Sequence, residues 1–197
     1  MNNKKIAIPA QPSFIVGVGG SAGGLSAYKA LLEALPADTG MAFVIIAHML
    51  PTATSALAKI LSWYTEMPVI TASDGMPIRA NQVYVSAPNS ELRVENDSFK
   101  LIIPRARGKV AVDQFFMSLA QAVGERAIGV ILSGYDGDGT EGCTYIKGKG
   151  GVTFAQDESA EVNSMPLSAQ AFGCIDFVLS PRQIADELRK IARASEK

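Results

Sequence analysis

The chain has 197 residues, 48% of them hydrophobic and 19% charged, with a formal net charge of −1; this fits one compact domain with a real core and gives no electrostatic case for nucleic acid or an anionic membrane surface. The longest apolar runs, such as AFVIIA at 42–47, are too short to span a bilayer, and the N-terminus MNNKKIAIPAQP has neither the apolar stretch nor the cleavage site of a signal peptide. Two cysteines, Cys143 and Cys174, make neither a disulfide framework nor a metal-ligand cluster, so they read as packing residues of a cytoplasmic protein.

Residues 1–12 are polar and proline-containing and read as a flexible arm before a single domain at 13–194. Ser13–Val18 is a short β-rich run, followed by Leu25, Tyr28, Leu31, Leu32 and Leu35 at helical spacing. After the break at 36–40, Met41–Ala47 is continuously apolar, as a strand covered on both faces should be. Thr54 suits the cap of a helix running to Tyr64, and Val69–Ala72 is a short strand. VYVSA at 83–87, ELRVE at 91–95 and FKLII at 99–103, separated by turn-formers, predict a β-hairpin insertion. Asp113 suits the cap of a helix ending at Gly124, and AIGVILS at 127–133 is another buried strand. Thr140 opens a helix to Gly148, GVTFA at 151–155 is a strand, Ser164-Met165-Pro166 starts a helix, and IDFVL at 175–179 is the last strand. Ser180-Pro181 is a cap with proline at the first helical position. Trp63, Phe115 and Phe116 fall in helical patterns and read as core. Alternating strands and helices predict an α/β fold: a doubly wound, mainly parallel, Rossmann-like sheet with helices on both faces.

Such a fold places its site beyond the carboxyl ends of the strands. Three loops of unusual content leave those ends: GGSAGG at 19–24, His48-Met49-Leu50-Pro51, and SGYDGDGT at 133–140. GVGGSAGG at 17–24 approximates a dinucleotide fingerprint, but the second strand ends in Ala47-His48 with no carboxylate for a ribose, and no P-loop lysine follows the glycines. Gly19-Gly20-Ser21-Ala22-Gly23 also fits G-x-S-x-G, a serine on a tight strand-to-helix turn. A serine hydroxyl needs a base, and His48 is the only histidine in the chain. That base needs a carboxylate, which Asp136 or Asp138 can supply; spacing does not choose between them. The order Ser, His, Asp differs from that of the ordinary α/β-hydrolases.

These residues resemble the catalytic domain of CheB-type chemotaxis protein-glutamate methylesterases over about residues 13–190. The family's G-A-S-x-G-G loop is Gly19-Gly20-Ser21-Ala22-Gly23-Gly24 here, and its strand-end histidine context is Ala47-His48-Met49-Leu50-Pro51. A further segment is matched by Asp74-Gly75 through Val83-Tyr84-Val85-Ser86-Ala87-Pro88. The L-[ST]-G-x-G-x-D-G loop is Leu132-Ser133-Gly134-Tyr135-Asp136-Gly137-Asp138-Gly139, and a later segment is matched by Ala155-Gln156-Asp157 and Met165-Pro166. Val112-Asp113-Gln114-Phe115-Phe116 with Ser118-Leu119-Ala120 looks most like the variant fused to a CheR-type methyltransferase.

The resemblance implies Ser21 as nucleophile, His48 as base and Asp138 as acid, with Asp136 standing where the family has glycine. Gly20, Ala22, Tyr135, Asp136 and Met165 complete the oxyanion and active-site loops, and no metal or cofactor is implied. Hydrolysis of glutamate γ-methyl esters on chemoreceptor cytoplasmic helices, with deamidation of glutamine, is the expected activity, so the expected partners are a methylated receptor and a CheR-type methyltransferase or other domains. Tyr135, Asp136 and Val162-Asn163-Ser164 depart from the family pattern and bear on rate and substrate choice. The receiver domain that precedes the family's enzymes has no counterpart here, as expected of a piece of a multidomain protein or of one regulated differently. Two other readings are a CheB-like interaction domain without turnover and a Rossmann-type ligand-binding module. The basic run Arg105, Arg107 and Lys109 reads as a solvated loop or as a contact to an acidic receptor helix.

Overall fold

The computed structural model describes residues 11–47, 56–104 and 110–195. Unbroken apolar runs become strands buried on both faces. β1 (Ile15–Gly20) is buried at all 6 positions and β7 (Ala127–Ile131) at all 5. With β2 (Ala42–Ala47), β3 (Val69–Thr71), β4 (Gln82–Val85), β8 (Val152–Gln156) and β9 (Phe177–Leu179) they form a seven-stranded sheet in the order β3-β4-β2-β1-β7-β8-β9. Every pairing in it is parallel. β5 (Glu91–Glu95) and β6 (Ser98–Ile102) form a separate antiparallel hairpin.

Helices close both faces. α1 (Gly24–Ala34) and α6 (Pro181–Ala194) pack together on one face, where Leu31, Leu32 and Leu188 meet Val16, Val18 and Phe43. α3 (Ala111–Val123), α4 (Thr140–Gly148) and α5 (Ser164–Ala171) cover the other, where Phe115, Phe116, Leu119 and Ile146 are buried. Each such side chain contributes roughly 1.5–3 kcal/mol on burial. α6 begins with the expected cap: Ser180 and Gln183 form a capping box, and Pro181 occupies the first turn.

Two glycines of the 17–24 stretch have a packing reason. A Cβ on Gly17 would meet the Phe116 ring at 2.7 Å, and one on Gly19 would meet Val112 at 2.5 Å. They let α3 lie close against β1, which accounts for them without a phosphate.

Four expectations change. Residues 83–87 are not part of the hairpin: β4 joins the large sheet, pairing Phe43 with Val83 and Ile70 with Tyr84. Asp113 does not cap α3, because the helix begins two residues earlier and Asp113 lies in its first turn. Trp63 is not core: α2 (Ala56–Leu61) ends before it, and the indole is 70% exposed, whereas Phe115 and Phe116 are buried. Leu25, on the expected helical stripe, is 39% exposed at the open end of α1. Thr54, His48, the run at 105–109 and residues 1–10 of the expected arm lie outside the described residues.

The chain winds from β1 to β2 on one side and from β7 to β8 on the other. The reversal falls between β1 and β7, and in open α/β sheets it is at such a reversal that a crevice forms beyond the strand ends.

Candidate active site

β1 runs into α1 through only Ser21, Ala22 and Gly23. Gly23 takes φ 72°, the left-handed conformation that favours glycine, and a Cβ there would meet the Ser133 hydroxyl at 2.5 Å. α1 has no side-chain cap and no acidic residue in its first turn, and the Glu161 carboxylate lies beside Gly23 at its start, 3.1 Å from where a Cβ would stand. The Ser21 N–H donates to the Ser133 carbonyl at 2.9 Å, and the Gly24 N–H donates to the Ser21 carbonyl at 2.9 Å. The N–H groups of Ala22, Gly23 and Tyr135 meet no described acceptor. Free backbone donors around a serine are what a developing oxyanion requires.

The 133–139 loop lies against this turn. A Cβ on Gly134 would come within 3.1 Å of the Ser21 Cβ and 3.2 Å of its nitrogen, and would strike the Met165 sulfur. Met165 is fully buried behind Gly134 and donates its N–H to the Gly134 carbonyl at 3.0 Å, so it backs the loop and does not line the crevice. Tyr135 projects at the rim, 62% exposed. Ser133 fastens three segments: its hydroxyl donates to the Ala22 carbonyl at 2.8 Å and accepts the Val162 N–H at 3.0 Å, while its own N–H donates to the Gln156 side chain at 2.9 Å.

The two aspartates separate clearly. Asp136 is exposed and left-handed at φ 66°; its Oδ1 accepts the Asp138 N–H at 2.9 Å, a local turn that fixes the backbone before Asp138. That φ is the reason glycine suits this position and aspartate is tolerated. Asp138 is buried; its two carboxylate oxygens accept the N–H groups of Val112 at 3.0 Å and Asp113 at 2.9 Å, at the start of α3. Asp113 answers in kind, its Oδ1 accepting the Gly142 N–H of α4 at 2.7 Å. Burial pushes the Asp113 carboxyl up to about 6; the charges of Asp138 and Glu141 add to the rise, and the backbone of Gly142 and Gly139 opposes it.

His48 lies outside the described residues, but Ala47 before it pairs in register with Gly20, directly before Ser21. Beneath Gly20 sits Tyr28. Its hydroxyl is buried with no hydrogen-bond partner among the described residues, and burial holds its pKa well above the usual phenol value. Gly20, where the resembling family has alanine, leaves the space that this hydroxyl fills: a Cβ there would meet it at 2.5 Å.

The sequence showed Ser133 and Gln156 only as members of motifs, and offered Asp113 as the cap of its own helix and not of α4. Their partners lie 23 to 111 residues away, beyond any local spacing rule.

Residues 16–188 match the family model described as CheB methylesterase. A Leptospira interrogans protein, provisionally named a protein-glutamate methylesterase/protein-glutamine glutaminase, is 33% identical over 173 residues, covering 86% of this chain and 90% of its own length. A Burkholderia lata protein with that name is 36% identical over 185 residues; this chain spans 90% of itself and only 53% of that relative. The crystal structure of the Thermotoga maritima CheB methylesterase catalytic domain superposes with a TM-score of 0.82 at 28% identity, over 90% of this chain and 98% of that one.

Proposed function

The chain belongs to the CheB methylesterase family and is a protein-glutamate methylesterase, and we propose that Ser21, His48 and Asp138 are the triad with which it works. The observation that carries this reading is Ser21 itself. It sits at the uncapped start of α1 among three unengaged backbone N–H groups, against a loop that bears the buried Asp138.

Ser21 attacks the carbonyl carbon of a glutamate γ-methyl ester as His48 takes its proton. The negative oxygen of the tetrahedral intermediate draws on the N–H groups of Ala22, Gly23 and Tyr135. The C–O bond to the methyl group's oxygen then breaks, and His48 returns the proton to give methanol. Water, deprotonated by His48, releases the glutamate and restores the Ser21 hydroxyl. A glutamine side chain enters the same sequence with ammonia as leaving group. Asp138, whose burial supports it over Asp136 in this role, fixes the imidazole and supports its positive form.

The substrate is a chemoreceptor's cytoplasmic helix, and a CheR-type methyltransferase or other signalling domains are the further partners. The reading places the enzyme in the cytoplasm; no helix among the described residues is long and apolar enough to cross a membrane. Methanol release from methylated receptor by the wild type and Ser21→Ala tests the proposal. Loss of release in the variant supports it, and equal rates overturn it.

A further inference from the structure

Two buried carboxylates, one of them outside the triad, hold each other's helices. Asp138, in the loop before α4, accepts the first-turn N–H groups of Val112 and Asp113 on α3. Asp113, in the first turn of α3, accepts the Gly142 N–H in the first turn of α4. The residue at 113 therefore grips the 133–139 loop from both sides, its backbone on Asp138 Oδ1 and its side chain on the helix that follows. Asp113 is 5% exposed and Asp138 is 4% exposed. The same loop presses Gly134 against Ser21, so any slack in the grip reaches the nucleophile.

The ionisable groups around Asp113 are mostly of its own sign. Asp138 on the loop and Glu141 on α4 raise its pKa; Cys143 on α4 feels its charge, and α4 also carries Tyr145 and Lys147, the latter paired with Asp176. β5, packed on the same helix, brings Glu91, Arg93 and Glu95, of which Glu91 pairs with Arg93. The short turn at 124–126 brings Glu125 and Arg126 at the far end of α3. β1, β2 and β7 contribute no ionisable side chain. No cation pairs with Asp113 among the described residues. A buried anion retained without a cation, beside a second carboxylate, costs more than a cap needs.

We infer that Asp113 is a positioning residue for the esterase reaction: its carboxyl holds the start of α4 and its backbone holds Asp138, so that Asp138 stays aligned on the crevice, and its negative charge adds to that of Asp138. The inference rests on Asp138 being the acid of the triad. The second anion strengthens the field that favours the protonated base, and its removal lets the base lose its proton at lower pH.

The experiment measures kcat, KM and the pH–rate profile on methylated receptor for the wild type, Asp113→Asn and Asp113→Ala, with the melting temperature of each. Asp113→Ala keeps the backbone N–H but frees Gly142, and is expected to lose at least about tenfold in kcat with KM within about twofold. Asp113→Asn keeps an acceptor for Gly142 and is expected to recover most of that loss, with the acid limb of its profile displaced by about half a pH unit or more to lower pH. If Asp113→Ala does not fold, the Asp113→Asn profile decides, because a simple cap would not move it. An active wild type with a superimposable Asp113→Asn profile overturns the inference alone. A wild type that releases no methanol, or a Ser21→Ala variant that releases it as fast, overturns the triad reading and this inference with it.

Discussion

The Asp113 carboxyl also makes the stability of the domain depend on pH in a direction unusual for a carboxylate. Its pKa rises from 3.8 to about 6 in the folded protein, mainly because burial disfavours its charge. The folded state therefore binds this proton more tightly than the unfolded state. The stability it contributes is complete below the unfolded value and is lost as pH rises through the folded one. A rise of about two units corresponds to about 3 kcal/mol at neutral pH. Asp113→Asn abolishes the titration and keeps an oxygen for the Gly142 N–H. The stability of the variant minus that of the wild type should thus climb with pH, and about 2 kcal/mol of the climb falls between about pH 4.5 and about pH 7.5. Urea unfolding of both proteins across that range measures it, since other titrating groups are common to both and largely cancel. Parallel stability curves, or a variant that loses ground as pH rises, would refute the reasoning that the carboxylate is held against its own desolvation.

Tyr28→Phe removes a buried hydroxyl with no partner among the described residues, so it should leave the fold as stable or raise stability by about 1 kcal/mol in chemical denaturation; a loss above that size would mean the hydroxyl has a partner. Gly134→Ala drives a methyl into Met165 and the backbone of Ser21, and should lower kcat about 100-fold while KM changes little, read from methanol release. Asp136→Gly restores the residue the left-handed backbone prefers and should cost less than about tenfold in kcat, against about 10⁴-fold for Asp138→Asn; equal losses would reopen the choice of acid.

The apolar runs at 42–47 and 127–133 announced strands covered on both faces, and the Ser180-Pro181 cap announced the last helix, because those features are local. Strand β4 was harder. VYVSA has the same length and turn-formers at its end as the two hairpin strands after it, and only its long-range pairing with Phe43 and Val44 assigns it to the sheet. Trp63 follows helical spacing, yet α2 stops at Leu61. At the site, the serine turn and its glycines stood out as a motif, while spacing left Asp136 and Asp138 equal. Burial and the N–H groups of α3 separate them, and both depend on a helix more than 20 residues away in sequence. The glycines at 17 and 19 invited a phosphate reading because a sequence does not say what lies above a strand; α3 does.

The most direct test of the account is labelling by a serine-directed fluorophosphonate, followed by mass spectrometry of the peptide that contains residue 21. One adduct is expected, on Ser21, absent from Ser21→Ala and nearly absent from His48→Ala and Asp138→Ala. An adduct elsewhere, or undiminished labelling of Ser21 without His48, would contradict it.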